Sequence, residues 1–121
     1  MTSDSRRLLH LLGATAVASL VLATLLPTKL IPRTGLGWEN EHFLMYFAAT
    51  TIVSIASRRP LLVAFSLMAC SGVLEALQGL TPDRFPNLTA ALAGAAGVIA
   101  AATLVMLLVR ARRSLVLPNW T

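Results

Sequence analysis

Four apolar runs separated by short polar connections take up most of this chain, at residues 8–26, 42–57, 61–80 and 88–109. An α-helix needs about 17–25 predominantly apolar residues to cross the hydrocarbon core of a bilayer, and these runs match that length or approach it. The second, at about 16 residues, sits near the lower limit, so Glu41 and His42 must lie in the interface for the crossing to be completed. Composition agrees with a membrane setting. Of the 121 residues, 56% are hydrophobic and 12% charged, with a mean hydropathy of +0.75, whereas soluble domains average about 25% charged residues. A β-barrel would need alternating strands separated by turns, and no such pattern occurs. The expected fold class is all-α: a polytopic membrane protein, a single domain over residues 1–121 built as a bundle of four transmembrane helices.

Charge placement sets the expected orientation. Arg6, Arg7, Arg58, Arg59, Arg110, Arg112 and Arg113 fall on one side of a four-span topology, against Lys29, Arg33 and Arg84 on the other. An excess of Lys and Arg marks cytoplasmic loops, so both termini are expected in the cytoplasm. The net charge of +5 is spread over run ends and forms no basic face with aromatic readers, which argues against a nucleic-acid partner. The small residues of ATAVAS, in the first run, resemble a signal-peptide cleavage site. The run stays apolar well past them, so a retained helix is expected. Cys70 is alone in an apolar span, so no internal disulfide, metal cluster or cofactor is expected. Two prolines and two glycines mark PTKLIPRTGLGWENE as a loop, with Trp38 as an interfacial anchor.

The one place where chemistry is expected lies at the outer end of the third run. Glu75 is a carboxylate inside an apolar span, a placement that costs roughly 2.5–3.5 kcal/mol on insertion scales. Gln78 follows one turn later, and Pro82, Asp83 and Arg84 form the loop. With a rise of about 1.5 Å per residue, Glu75 should lie about 7–8 Å below the outer face. His42, Tyr46 and Thr50 share one helical face by four-residue spacing, which should turn inward and bring His42 toward Glu75. A buried carboxylate needs a counter-charge or a proton, and Arg84 and His42 are the nearest candidates. The candidate cluster is therefore Glu75, Gln78, Arg84, His42, Asp83 and Glu39. Ala90 and Gly94 form one small-residue stripe on the fourth helix, and Ala93, Gly97 and Ala101 an adjacent one, suited to close helix packing. Faces of this kind are compatible with a homo-oligomer.

Three readings of the cluster stand at this point. It is a clasp that sets helix register, a site for a polar or anionic headgroup with Arg84 as donor, or an acid–base pair acting on a lipid-linked substrate. No nucleophile at a telling spacing accompanies the third: Ser71 is one turn from Glu75, and helical serines usually bond their own backbone. No catalytic role is assigned. A proton relay is not expected, since no titratable group continues from Glu75 toward the cytoplasmic side.

The order of these residues resembles the VanZ-like family of small bacterial membrane proteins over residues 38–100. His42-Phe43 stands for the family's His-Phe, Glu75 and Gln78 for its Glu-x-x-Q, Pro82 and Arg84 for its Pro-x-Arg, and Gly94 for its glycine-rich closing helix. The chain would be a divergent member. Trp38 and Glu39 occupy the places of an Asp-Lys pair, and Asn87 and Ala91 those of an Asp and an Asn. The resemblance implies an envelope protein of a bacterial inner (cytoplasmic) membrane that lowers susceptibility to teicoplanin-type glycopeptides. The expected partners, from composition and the readings of the cluster, are the lipid bilayer and an anionic lipid or lipid-linked envelope precursor.

Overall fold

The computed structural model describes residues 3–32 and 34–116. Arg33, one of the expected outer-side charges, lies outside them. Among the described residues the chain forms four α-helices and no strand: α1 (Ser3–Leu25), α2 (Trp38–Ser57), α3 (Pro60–Gln78) and α4 (Leu88–Val116), with a short 3-10 turn over Thr28–Leu30. The all-α membrane bundle expected from the sequence is the observed architecture. Three of the helices, α1, α3 and α4, are long and apolar enough to cross a membrane.

The exception, α2, is the central helix. It packs most extensively along α4 and also contacts α1 and α3, whereas the α1 and α4 backbones do not approach closely among the described residues. A helix surrounded by other helices need not be lipophilic all round, because its polar groups face protein. His42, Tyr46, Thr50 and Ser54 recur every fourth residue and all are buried, the inward polar stripe expected from the sequence, continued one turn further. The outer helices carry the lipophilic surface, with Leu11, Leu22, Leu62, Phe65, Val73, Leu92, Ile99 and Leu107 all exposed.

Helix boundaries differ from the apolar runs for local reasons. α2 begins four residues early, at Trp38, because Glu39 and Glu41 favour a helix N-terminus and its dipole. Pro60 opens α3 at its first turn, where the missing N–H costs nothing. Asn87 caps α4, its Oδ1 accepting the Thr89 N–H at 2.9 Å. The two-residue connection at Arg58 and Arg59 turns through a left-handed Arg58 (φ 58°), whose N–H donates to the Ser54 carbonyl.

Close approach of α4 to α2 depends on glycine. A Cβ on Gly97 would collide with the Phe43 carbonyl oxygen, and one on Gly94 would lie 2.8 Å from the Tyr46 ring and 2.9 Å from Ser71 Oγ. Ala101 and Val98 are fully buried on the same seam. Van der Waals contact of this kind, rather than hydrophobic transfer, holds helices together in lipid.

Successive helices run antiparallel, so both described chain ends lie at one end of the bundle. Gly13, midway along α1, lies against Val53 in the C-terminal half of α2. The opposite end gathers the C-termini of α1 and α3, the N-termini of α2 and α4, and the loops between them.

Candidate functional site

Helix geometry alone brings Glu75 and Gln78 together, since residues three apart share a face. Gln78 Nε2 donates to Glu75 Oε2 at 3.3 Å. The other carboxylate oxygen, Oε1, accepts the backbone N–H of Asn87, which the 79–87 loop folds back over the end of α3. From α2, His42 presents Nε2 to Glu75 Oε2 at 3.9 Å. The three residues are 7%, 6% and 1% exposed for His42, Glu75 and Gln78.

The His42 ring is held from behind. Its Nδ1 lies 3.0 Å from the Trp38 carbonyl oxygen, an acceptor only, so Nδ1 carries the proton and Nε2 presents a lone pair in the neutral ring. The Nε2···Oε2 separation exceeds hydrogen-bonding distance. His42 Nε2 and Gln78 Oε1 therefore have no hydrogen-bond partner among the described residues.

Arg84 takes a different place from the expected one. It is buried at 5% exposure, yet no ion pair joins it to Glu75 among the described residues. Its Nε donates to the Leu26 carbonyl at 3.0 Å and its Nη2 to the Ala23 carbonyl at 2.9 Å. A helix C-terminus leaves carbonyls without partners inside the helix, and the guanidinium fork satisfies two of them. Thr81 reinforces the joint by donating to the Leu25 carbonyl at 3.2 Å, and Thr28 donates to the Asp83 carbonyl at 3.3 Å. Burial lowers the Arg84 pKa, and the nearby carboxylates of Glu75 and Asp83 partly offset it. A guanidinium stays charged under these conditions.

Trp38 links the two halves of the site. Arg84 lies 4.7 Å from the centre of its ring, within cation–π range, and its ring centroid is 5.0 Å from that of His42. The tryptophan also lines a cavity of about 290 Å³ with Thr28, Ile31, Gly35, Gly37 and Glu41. Read from sequence as an interfacial anchor, it is a wall between this cavity and the polar cluster.

Of the six candidate residues, His42, Glu75 and Gln78 form one contact group, and Arg84 adjoins it through Trp38. Glu39 and Asp83 sit on the exposed rim, where Glu39 accepts a hydrogen bond from Thr89 Oγ1 at 3.1 Å. Ser71 donates to the Ala91 carbonyl at 3.2 Å and ties α3 to α4, which leaves it without the base a nucleophile requires. Sequence reasoning missed Asn87 and Trp38 as members of the site. An Asn directly before an apolar helical run is an N-cap signal, and it would have placed the Asn87 amide at the end of α3. Trp38 is marked in the sequence only as an interfacial anchor, and its contact with Arg84 comes from the loop after α3. Comparison of the chain with known protein families, curated proteins and solved structures found no match.

Proposed function

We propose that this is a VanZ-like integral membrane protein of the bacterial cytoplasmic membrane that recognises or handles an outer-leaflet envelope component at the His42–Glu75–Gln78 cluster. The observation that carries the reading is a buried carboxylate beside an imidazole nitrogen and an amide oxygen that lack partners. Polar atoms left in that state are costly, and a ligand group that satisfies them gains what folding lost. The cluster lies at the bundle end opposite Arg6, Arg7, Arg58, Arg59, Arg110, Arg112 and Arg113, all exposed among the described residues. By the positive-inside rule those arginines face the cytoplasm with both termini, and the cluster faces outward. Handling of an outer-leaflet precursor by such a protein would alter susceptibility to teicoplanin-type glycopeptides.

Two experiments test this. In a Cys70→Ala background, Leu80→Cys should react with a membrane-impermeant maleimide on intact cells, whereas labelling only after lysis would reverse the orientation. Expression in a teicoplanin-sensitive bacterium should raise the inhibitory concentration for the wild type and not for Glu75→Gln at equal membrane abundance. Equal values for both would remove the cluster from any such role.

A second reading rests on the Arg84 bonds to α1. The 79–87 loop ties α1 to α3 and folds the Asn87 amide onto Glu75, which is what a structural clasp in a membrane complex would need. Under that reading Glu75→Gln would unfold the bundle at lower temperature and change no binding property.

A further inference from the structure

We infer that the cluster is a primary-ammonium site, so that the ligand is an amino headgroup of the phosphoethanolamine type rather than an anionic one. The inference rests on the binding reading above and names its ligand class.

The argument is a count of donors and acceptors. His42 Nδ1 is committed to the Trp38 carbonyl at 3.0 Å, so in the neutral ring Nε2 offers a lone pair. Glu75 Oε2, 3.9 Å away, keeps lone-pair capacity beyond the Gln78 hydrogen bond it accepts. That same bond fixes the Gln78 amide with Oε1 left over and unpartnered among the described residues. Three acceptors, one of them a carboxylate oxygen, thus belong to one contact group of residues more than nine-tenths buried. The complementary group carries three N–H donors and a positive charge, which is the inventory of a primary ammonium. A phosphate or carboxylate would set lone pairs against lone pairs and against the Glu75 charge.

Arg84 supports the same assignment. Two of its N–H groups are spent on the Ala23 and Leu26 carbonyls, so it does not present the two-pronged fork that anion capture uses. Its Nη1 alone is free of protein partners among the described residues. It adjoins the Trp38 ring, whose other neighbour is His42. A zwitterionic headgroup would offer its ammonium to the three acceptors and a phosphate oxygen to Nη1. The described charges at this end are Lys29 and Arg84 against Glu39, Glu41, Glu75 and Asp83, a balance that favours approach of a cation. Trp38, against His42 on one side, also lines the 290 Å³ cavity at this end of the bundle.

Native mass spectrometry of the purified full-length protein tests the inference. The probe is an equimolar mixture of phosphatidylethanolamine, phosphatidylcholine and phosphatidylglycerol with identical acyl chains. Phosphatidylcholine carries the same charge as the ethanolamine lipid but no N–H donor. Wild type should retain phosphatidylethanolamine at least about tenfold over either other lipid, as expected for charge-assisted hydrogen bonds. Glu75→Gln and Gln78→Met should bring the three to parity. Gln78→Met keeps the side-chain volume and leaves Glu75 in place, so it guards against a folding failure of the carboxylate variant. Equal retention of the ethanolamine and choline lipids by wild type overturns the ammonium assignment. Preference for phosphatidylglycerol that Glu75→Gln abolishes overturns it too, yet leaves the headgroup reading standing. Absence of any preference in all proteins removes both. A parallel arm offers glycerophosphoethanolamine, which has no acyl chains. Binding of both forms makes the ammonium headgroup sufficient, binding of the lipid alone makes the ligand membrane-borne, and either result supports the site.

Discussion

Replacing Gly97 by Ala tests the helix packing that positions the site. The added Cβ would overlap the Phe43 carbonyl oxygen and lie 3.1 Å from Phe43 C and 3.2 Å from Phe47 N. All three are backbone atoms of α2, so no rotamer change relieves the contact and α2 must move away from α4. Overpacking of this kind costs about 1–3 kcal/mol. Alanine also raises helix propensity by about 0.8–1 kcal/mol over glycine, which masks part of the cost. Gly72→Ala on α3 isolates that second term, because nothing lies within 4 Å of the Cβ it would add. The difference between the two variants is then the packing term alone. Gly97→Ala should unfold about 1–3 kcal/mol more easily than Gly72→Ala, read from denaturation in one detergent. Phe43 neighbours His42 in the chain, so the same displacement should weaken any binding at the cluster. Equal stability of the two variants would mean that α2 and α4 do not approach at Gly97, and the placement of His42 beside Glu75 would fall with it.

The remaining predictions concern buried polar groups. Arg84→Lys keeps the charge but replaces the fork with a single nitrogen, so the Ala23 and Leu26 carbonyls cannot both be served. It should cost about 1.5–3 kcal/mol, the range for hydrogen bonds to charged groups, and should expose the 79–87 loop to limited proteolysis. A variant as stable and as resistant as wild type would show that the loop is not joined to α1 through Arg84. Thr50→Val removes a hydroxyl that is fully buried and has no hydrogen-bond partner among the described residues. Thermal unfolding should be unchanged or improved by up to about 1 kcal/mol. A larger loss would reveal a partner for Thr50 Oγ1.

Membrane class, helix number and the inward polar stripe of α2 were legible in the chain itself. Each follows from a local regularity: run length against bilayer thickness, and the 3.6-residue turn that puts His42, Tyr46 and Thr50 on one face. Glu75 and Gln78 were legible as a pair for the same reason, their spacing being set by the helix that carries both. Gly97 and Gly72, by contrast, look alike in sequence, yet one touches the α2 backbone and the other meets nothing. Which helix faces a glycine is decided by how the bundle closes. Arg84 shows the same division. Its proximity to Glu75 could be anticipated from the topology, but the carbonyls it serves belong to residues about 60 positions earlier in the chain. A cation in a low-dielectric setting goes to whichever acceptors lack partners, and the C-terminus of α1 supplied them before Glu75 did. The carboxylate, already held by the Asn87 amide and Gln78, was left facing His42. That competition between a helix end and a side chain exists only once α1, α2 and α3 meet, so only the tertiary structure decided it.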